Sequence, residues 1–372
     1  MSTSKDNERT KENFDLQKHI AKGVEKLVTD TIRATLKNPK ESLYLARFAA
    51  ASKKAAKRRE KLEENGEHVP GFMIASVTSS CNLHCAGCYS RCIETTTDEA
   101  PVCQLSGDEW KDIFVEAADL GISYILLAGG EPLLRRDIIE AAAQIPEIMF
   151  PIFTNGTFVD ESYLKLFDKH RNLVPVLSIE GKEEATDQRR GEGMYRLITS
   201  NMATLDAKGL LFGSSITVTT ENLDEVMSLD FVSSLLEKGC KLIFYIEFVP
   251  VTDEARHLAP GDAERKRMEA AMETLRKEYP DVLLLSFPGD ELAMGGCMAA
   301  GREFIHINSH GGAEPCPFSP FSDINVKHTS LREALRSPLF TKIRDAGLLQ
   351  AEHEGGCVLY EKREQVEKLL KQ

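Results

Sequence analysis

From Phe72 onward, short runs of apolar, often β-branched residues alternate with stretches in which apolar residues recur every three or four positions. The runs Phe72–Val77, Tyr124–Ala128, Met149–Thr154, Val174–Ile179, Leu211–Val218 and Leu242–Phe248 read as strands. They carry apolar residues on both faces, as strands of a parallel sheet covered on both sides do. Helices fit between them at Gly107–Leu120, Arg136–Ala143, Glu161–His170, Met194–Lys208 and Leu223–Lys238. Six strand–helix units in series imply parallel pairing through right-handed crossovers. The periodicity fits an open doubly wound sheet and an incomplete barrel equally well. A further helix at Ala263–Glu278 and a strand at Val282–Phe287 lead out of the repeat.

The flanks differ in character. Residues 1–70 read as polar and helical, with one amphipathic helix marked by Val24, Leu27, Thr31 and Ile32. A second, Ala-rich helix runs from Leu43 to Leu62, and Asn65-Gly66 and Pro70 close the segment. Residues 71–290 hold the strand–helix repeat. In residues 291–372 the composition shifts: Gly, Pro, His and Cys rise between Gly295 and Pro320. That stretch reads as a loop-rich extension, too poor in core residues to fold without a staple such as a metal site.

Composition narrows the classes. Hydrophobic residues make up 42% and charged residues 28% of the 372, an ordinary balance for a soluble protein. The net charge of −12 argues against a nucleic-acid partner, which requires a basic surface. The basic run Lys53, Lys54, Lys57, Arg58, Arg59 and Lys61 reads as a solvated helix face. No run of about 18 apolar residues marks a membrane span, and the first residues lack the apolar core of a secretory signal. A cytoplasmic location is therefore expected. There, clustered members of the nine cysteines are expected to be metal ligands or catalytic groups rather than disulfides.

One cluster follows the first strand: Cys81-Asn82-Leu83-His84-Cys85-Ala86-Gly87-Cys88-Tyr89. Three thiolates within eight residues converge on one soft metal centre if the loop wraps around it. Three cysteines on an iron cluster leave one iron open to an external ligand. A structural zinc ion wants a fourth ligand, for which His84 and Cys92 are the candidates. Cys92, Cys103 and Cys240 otherwise read as isolated, small buried hydrophobes.

The Cys-x3-Cys-x2-Cys spacing on that loop resembles the radical S-adenosylmethionine superfamily, and other segments fall in the family's order. Gly129-Gly130-Glu131-Pro132, after the second strand, resembles the family's Gly-Gly-Glu-Pro segment. That match implies that the Gly130 backbone and the Glu131 side chain meet the methionine amino group. Ser178 matches the position that contacts the ribose, and Arg190 the arginine that approaches the methionyl carboxylate. Tyr245–Val251 resembles the segment that packs on adenine, with Val251 at its end. Many members carry an aromatic residue before the third cysteine, where Gly87 stands here. The resemblance covers about Phe72 to Pro250 and implies an α/β fold, a partial six-stranded (β/α) barrel of the TIM type with active-site residues at the C-terminal strand ends.

Cys297, Cys316 and Cys357 lie in the extension. Cys297, the following Ala300–Ile307 run, Gly311 and Cys316-Pro317-Phe318 resemble the auxiliary-cluster extension called SPASM, or its shortened form, Twitch. The dense cysteine run of full SPASM is absent, which leaves at most one second iron–sulfur cluster, with His310 or His353 as candidate fourth ligands. Three cysteines with one histidine are also a common zinc set, which makes a structural zinc staple the alternative.

Together the resemblances imply a [4Fe-4S] cluster on Cys81, Cys85 and Cys88 that binds S-adenosylmethionine. They further imply reductive cleavage to a 5′-deoxyadenosyl radical, hydrogen abstraction from a peptide or protein substrate, and a flavodoxin- or ferredoxin-type electron donor. The alternatives are the same chemistry on a small molecule, or a non-catalytic iron–sulfur carrier. A carrier has no need of Gly130, Glu131, Ser178 and Arg190. No residue acting directly on the substrate is marked by the sequence.

Overall fold

The computed structural model describes residues 39–99, 102–287, 291, 295–351 and 356–372. The helix expected around Val24–Ile32 lies outside them, as does His353. The six expected strands form: β1 (Phe72–Ser76), β2 (Tyr124–Ala128), β3 (Phe150–Thr154), β4 (Leu173–Ser178), β5 (Gly213–Val218) and β6 (Leu242–Glu247). Each pairs in parallel with the next. Helices occupy the connections, and local signals set their limits. Helix Gly107–Leu120, for example, opens on a Ser106/Glu109 capping box and ends on Gly121 at φ 92°.

The sheet curls into a barrel. Phe72, Met149, Phe244 and Phe287, from strands far apart in the order, line one small apolar cavity. The Phe153 and Phe244 rings meet edge-on at 5.1 Å across the interior.

The sheet is wider than the six-unit repeat. β7 (Leu283–Phe287) pairs in parallel with β6, and β8 (Phe304–Ile307) in parallel with β1. β9 (Gly312–Glu314) and β10 (Ile324–Asn325) extend that edge antiparallel. The expectation of a tail poor in core residues is therefore corrected. Met298, Ala299, Ala300, Ile305 and Ile307 are all fully buried in the same core as the barrel.

Two further differences have local causes. The stretch expected as one helix, Leu223–Lys238, is two, Leu223–Val226 and Leu229–Glu237, because Ser228 caps the second. Helix Glu183–Arg190 was not expected, since EEATDQRR has almost no apolar residue to show a period.

The Ala-rich helix spans Pro39–Glu64 and buries Leu45 and Phe48. Its basic run is partly structural: Arg58 Nη1 donates to the Ala118 carbonyl at 2.7 Å, and Arg59 to that of Gly121, at the carbonyl end of helix Gly107–Leu120. Among the described residues no helix is long and apolar enough to cross a membrane.

Candidate active site

The loop leaving β1 carries Cys81, Cys85 and Cys88, each half-buried and free of disulfide partners. It has no secondary structure to shape it, so side chains from its surroundings do. Arg91 donates from Nε to the Leu83 carbonyl and from Nη2 to the Cys81 carbonyl, both at 3.0 Å. Asn155 Nδ2 donates to Asn82 Oδ1 at 2.9 Å. The Ala86 N–H donates to the Arg189 carbonyl at 2.8 Å, and Arg189 Nε returns a bond to the Ala86 carbonyl at 3.1 Å. Three soft donors on a loop pinned at both ends suit an iron–sulfur cluster. His84 is paired with Asp98 at 2.9 Å, and Cys92 is exposed.

The turn after β2 is bolted to this loop. The Gly130 N–H donates to the Thr78 carbonyl at 2.7 Å, and the Glu131 N–H to that of Ser80 at 2.9 Å. A Cβ on Gly130 would lie 2.0 Å from the Ser80 carbonyl oxygen, so only glycine allows the approach. Gly130→Ala should consequently push the cysteine loop away and destabilise the protein by about 2–3 kcal/mol. Urea unfolding would measure this, and an unchanged midpoint would show that the loop yields freely.

Glu131 is 1% exposed, yet all of its bonds are to the protein. Its Oε1 accepts from Thr154 Oγ1 at 2.8 Å and from the Leu133 N–H at 3.0 Å, and Oε2 accepts from the Asn155 N–H at 2.8 Å. Burial outweighs these bonds and pushes its pKa up to about 7. This is a carboxylate held in one orientation and short of positive charge.

Of the other predicted cofactor residues, Ser178 ends β4, Arg190 ends helix Glu183–Arg190 and Val251 lies beyond the end of β6. Ser178 shares a hydrogen bond of 3.1 Å with Ser215. Arg190 places Nη1 4.0 Å from Cys85 Sγ. Its guanidinium is fixed by Glu180, a residue the sequence reading missed. Glu180 is 1% exposed and accepts from Arg190 Nε at 2.8 Å, from Arg189 Nη1 at 2.7 Å and from the Thr217 N–H at 3.0 Å. The signal available was its position two residues beyond Ser178, at the same strand end. Val251 is half-buried, and its carbonyl accepts from Tyr360 Oη at 2.9 Å. Gly87, at φ +66°, leaves room for an aromatic ring from elsewhere: a Cβ there would lie 2.8 Å from Phe248 Cε2.

The tail cysteines also come together. Cys297, Cys316 and Cys357 are all buried. The Cys316 and Cys357 side chains are hydrogen-bonded, which together with burial holds the Cys316 thiol well above its usual pKa. Burial does the same to Cys297, whose thiol is hydrogen-bonded to the Glu291 carboxyl. Burial pushes Glu291 up to about 8, and the sequence reading did not single this residue out. His310, one of the two histidines considered, turns instead toward the Val102 carbonyl at 3.2 Å. The Tyr89 ring, next to Cys88, packs at 4.3 Å on Phe318, two residues beyond Cys316, and so joins the two cysteine segments. Among the described residues, no three His, Cys, Asp or Glu side chains converge as ligands of a single ion would.

The isolated cysteines divide. Cys240 is the buried residue expected, its thiol bonded to the Leu242 carbonyl at 3.2 Å. Cys92 and Cys103 are exposed, contrary to the expectation of burial: Cys92 ends the short helix Tyr89–Cys92, and Cys103 lies in the irregular stretch before helix Gly107–Leu120.

Between the cysteine loop and the β8–β9 hairpin lies a polar cavity of about 380 Å³. Ser76, Tyr89, Gly129, His306 and Glu314 line it, with further acidic side chains at Glu94 and Glu99. No lysine or arginine is among its described lining residues.

Residues 75–232 match the family described as Radical SAM superfamily. Over 305 residues the chain is 24% identical to the AdoMet-dependent heme synthase of Methanosarcina barkeri, covering 75% of this chain and 86% of that one. It is 26% identical over 287 residues to the PqqA peptide cyclase of Rhizobium meliloti, covering 70% and 72%. The fold is shared with Streptococcus suis SuiB in the crystal structure bound to precursor peptide SuiA. The TM-score there is 0.62 at 18% identity, over 83% of this chain and 72% of that one.

Proposed function

We propose that this chain is a radical SAM enzyme that modifies a peptide or protein, with Cys81, Cys85 and Cys88 holding the cluster that binds S-adenosylmethionine. The match of residues 75–232 to the Radical SAM superfamily supports this reading. The observation that carries the site assignment is the bolting of the cysteine loop to Gly130 and Glu131, with Arg190 reaching Cys85. When bound, a [4Fe-4S] cluster and S-adenosylmethionine supply one-electron cleavage of a carbon–sulfur bond and a carbon radical that abstracts hydrogen. A flavodoxin- or ferredoxin-type donor would supply the electron.

The chain's own residues bind and orient. Glu131, already fixed by three hydrogen bonds, offers its carboxylate to the methionyl ammonium. Arg190, steered by Glu180, offers a guanidinium to the methionyl carboxylate. Ser178 is assigned to the ribose, and the strand end from Tyr245 to Val251 to the adenine side. Cys297, Cys316 and Cys357 are assigned to a second iron–sulfur cluster.

Two observations favour a peptide. The similarity to the PqqA peptide cyclase spans most of both chains. The cavity beside Gly129 is lined by Glu94, Glu99 and Glu314, and this suits an amide backbone or a basic side chain better than a tetrapyrrole bearing carboxylates. A small-molecule substrate is the second reading, favoured by the similarity to the heme synthase. The test is whether a short peptide encoded beside the gene accelerates 5′-deoxyadenosine formation and changes mass in the process. Acceleration by a porphyrin, with none by the peptide, would reverse the choice.

Glu131 also sets a pH dependence. Burial raises its pKa, so below about pH 7 the carboxyl is protonated and has no charge to offer an ammonium. Affinity for S-adenosylmethionine should fall roughly tenfold from pH 8 to pH 6, one proton being released on binding. Glu131→Gln should bind weakly and lose that slope, as calorimetry in two buffers would show. A slope that persists in the variant would place the titrating group elsewhere.

A further inference from the structure

Three side chains from three strands stand in line at the barrel mouth, apart from the residues assigned to the clusters and to S-adenosylmethionine. Ser76 ends β1, His306 lies in β8 and Glu314 in β9. Ser76 Oγ is 2.8 Å from His306 Nε2, and Glu314 Oε2 is 2.9 Å from Nδ1. The sheet register fixes this line. Ile74 is the β8 neighbour of His306, which puts Ser76 on the same face, and His306 sits directly opposite Glu314. His306 and Glu314 are 3% and 5% exposed, while Ser76 is half-buried. All three line the cavity of about 380 Å³. Asn308 Nδ2 donates to the other Glu314 oxygen at 2.5 Å and holds the carboxylate from behind.

The chemistry follows from which atoms can donate. Nδ1 of His306 makes no aligned hydrogen bond, so the carboxylate beside it is the partner its burial calls for. A carboxylate oxygen 2.9 Å from Nδ1 is the acceptor that a proton on Nδ1 would face, and that tautomer leaves Nε2 to accept from the Ser76 hydroxyl. A nucleophile in reach of a base, with the base oriented by a third group, is the arrangement of an activated hydroxyl. A buried His–Glu pair also serves as a plain tie between strands. Here the third member opens onto a polar chamber, which a tie does not need.

We propose that Ser76, His306 and Glu314 form an acid–base relay that makes the Ser76 hydroxyl a nucleophile toward the acyl carbonyl of an ester or amide bound in this chamber. Ser76 Oγ bonds to the acyl carbon as its proton passes to His306 Nε2. Glu314 balances the imidazolium. The alcohol or amine leaves with the proton from Nε2, and water, deprotonated by the same nitrogen, releases the acid and restores the serine. No oxidant or reductant is involved.

The test uses a fluorophosphonate probe on the full-length protein, before and after iron loading. Oγ–phosphorus bond formation expels fluoride, and an unactivated serine does not react. Mass spectrometry should find phosphonylated Ser76, absent in Ser76→Ala. His306→Gln should slow labelling roughly a hundredfold, the range of a lost general base. Glu314→Gln keeps the size of the side chain and should slow labelling roughly tenfold, so it carries the test if circular dichroism shows His306→Gln unfolded. No labelling of Ser76 in the wild type overturns the proposal, as does labelling at the wild-type rate in a folded variant. The measurement needs neither iron nor S-adenosylmethionine, so its failure leaves the radical assignment standing, and the reverse holds.

Discussion

Replacing Cys81, Cys85 and Cys88 together with Ala is expected to abolish formation of 5′-deoxyadenosine from S-adenosylmethionine. It should also remove about four irons from anaerobically reconstituted protein. The effect is large because the three thiols act as one unit: the loop has no regular structure, and its shape is held from outside by Arg91, Asn155 and Arg189. Those supports do not depend on the sulfurs, so the variant should fold, and circular dichroism should superimpose on that of the wild type. Cys92→Ala should leave both iron and cleavage close to unchanged, since Cys92 is exposed and is not among the proposed ligands. Undiminished cleavage in the triple variant would remove the assignment of this loop. Iron loss in Cys92→Ala comparable to that of the triple variant would make it a fourth ligand.

The barrel was legible because its strands are apolar on both faces and its helices are punctuated by caps. β2 and helices Gly107–Leu120 and Arg136–Ala143 fall at the residues the pattern gives. What stayed hidden has two physical causes. Helix Glu183–Arg190 is polar throughout, so it carries no period, although it brings Arg189 and Arg190 onto Glu180. The pairing of β8 with β1 joins residues more than two hundred apart, and no local pattern records a contact closed over so long a loop. The Ser76–His306–Glu314 line depends on that pairing, which is why it emerges only from the fold. The Cys-x3-Cys-x2-Cys spacing needed no fold to be noticed. The residues that shape its loop, Arg91 and Asn155, are ordinary surface types in sequence and acquire meaning only from the carbonyls and amides they reach.

The second large effect is expected in the tail. On the proposal that Cys297, Cys316 and Cys357 hold a separate second cluster, wild-type protein should carry about eight irons and the Cys81/Cys85/Cys88 variant about four. The three lie far apart in sequence yet are buried together, and such loops close only against an entropic cost. Packing offsets part of it: Met298, Ile305 and Ile307 are fully buried, and β8 is hydrogen-bonded to β1. Packing alone leaves three buried thiols, with burial holding Cys297 and Cys316 well above their usual pKa. Thiols held protonated in this way are poor ligands until a metal displaces their protons, and that displacement couples binding to the stability of the tail. Cys316→Ala should therefore halve the iron and expose the chain to protease near Gly295, while the strands from β2 to β6 stay protected from hydrogen exchange. The shared edge makes β1 the one barrel strand whose protection should drop with the tail. About four irons in the wild type with one tightly bound zinc would replace the second cluster by a structural ion. No tail metal at all, with the protease resistance of Cys316→Ala unchanged, would show that packing holds this segment unaided.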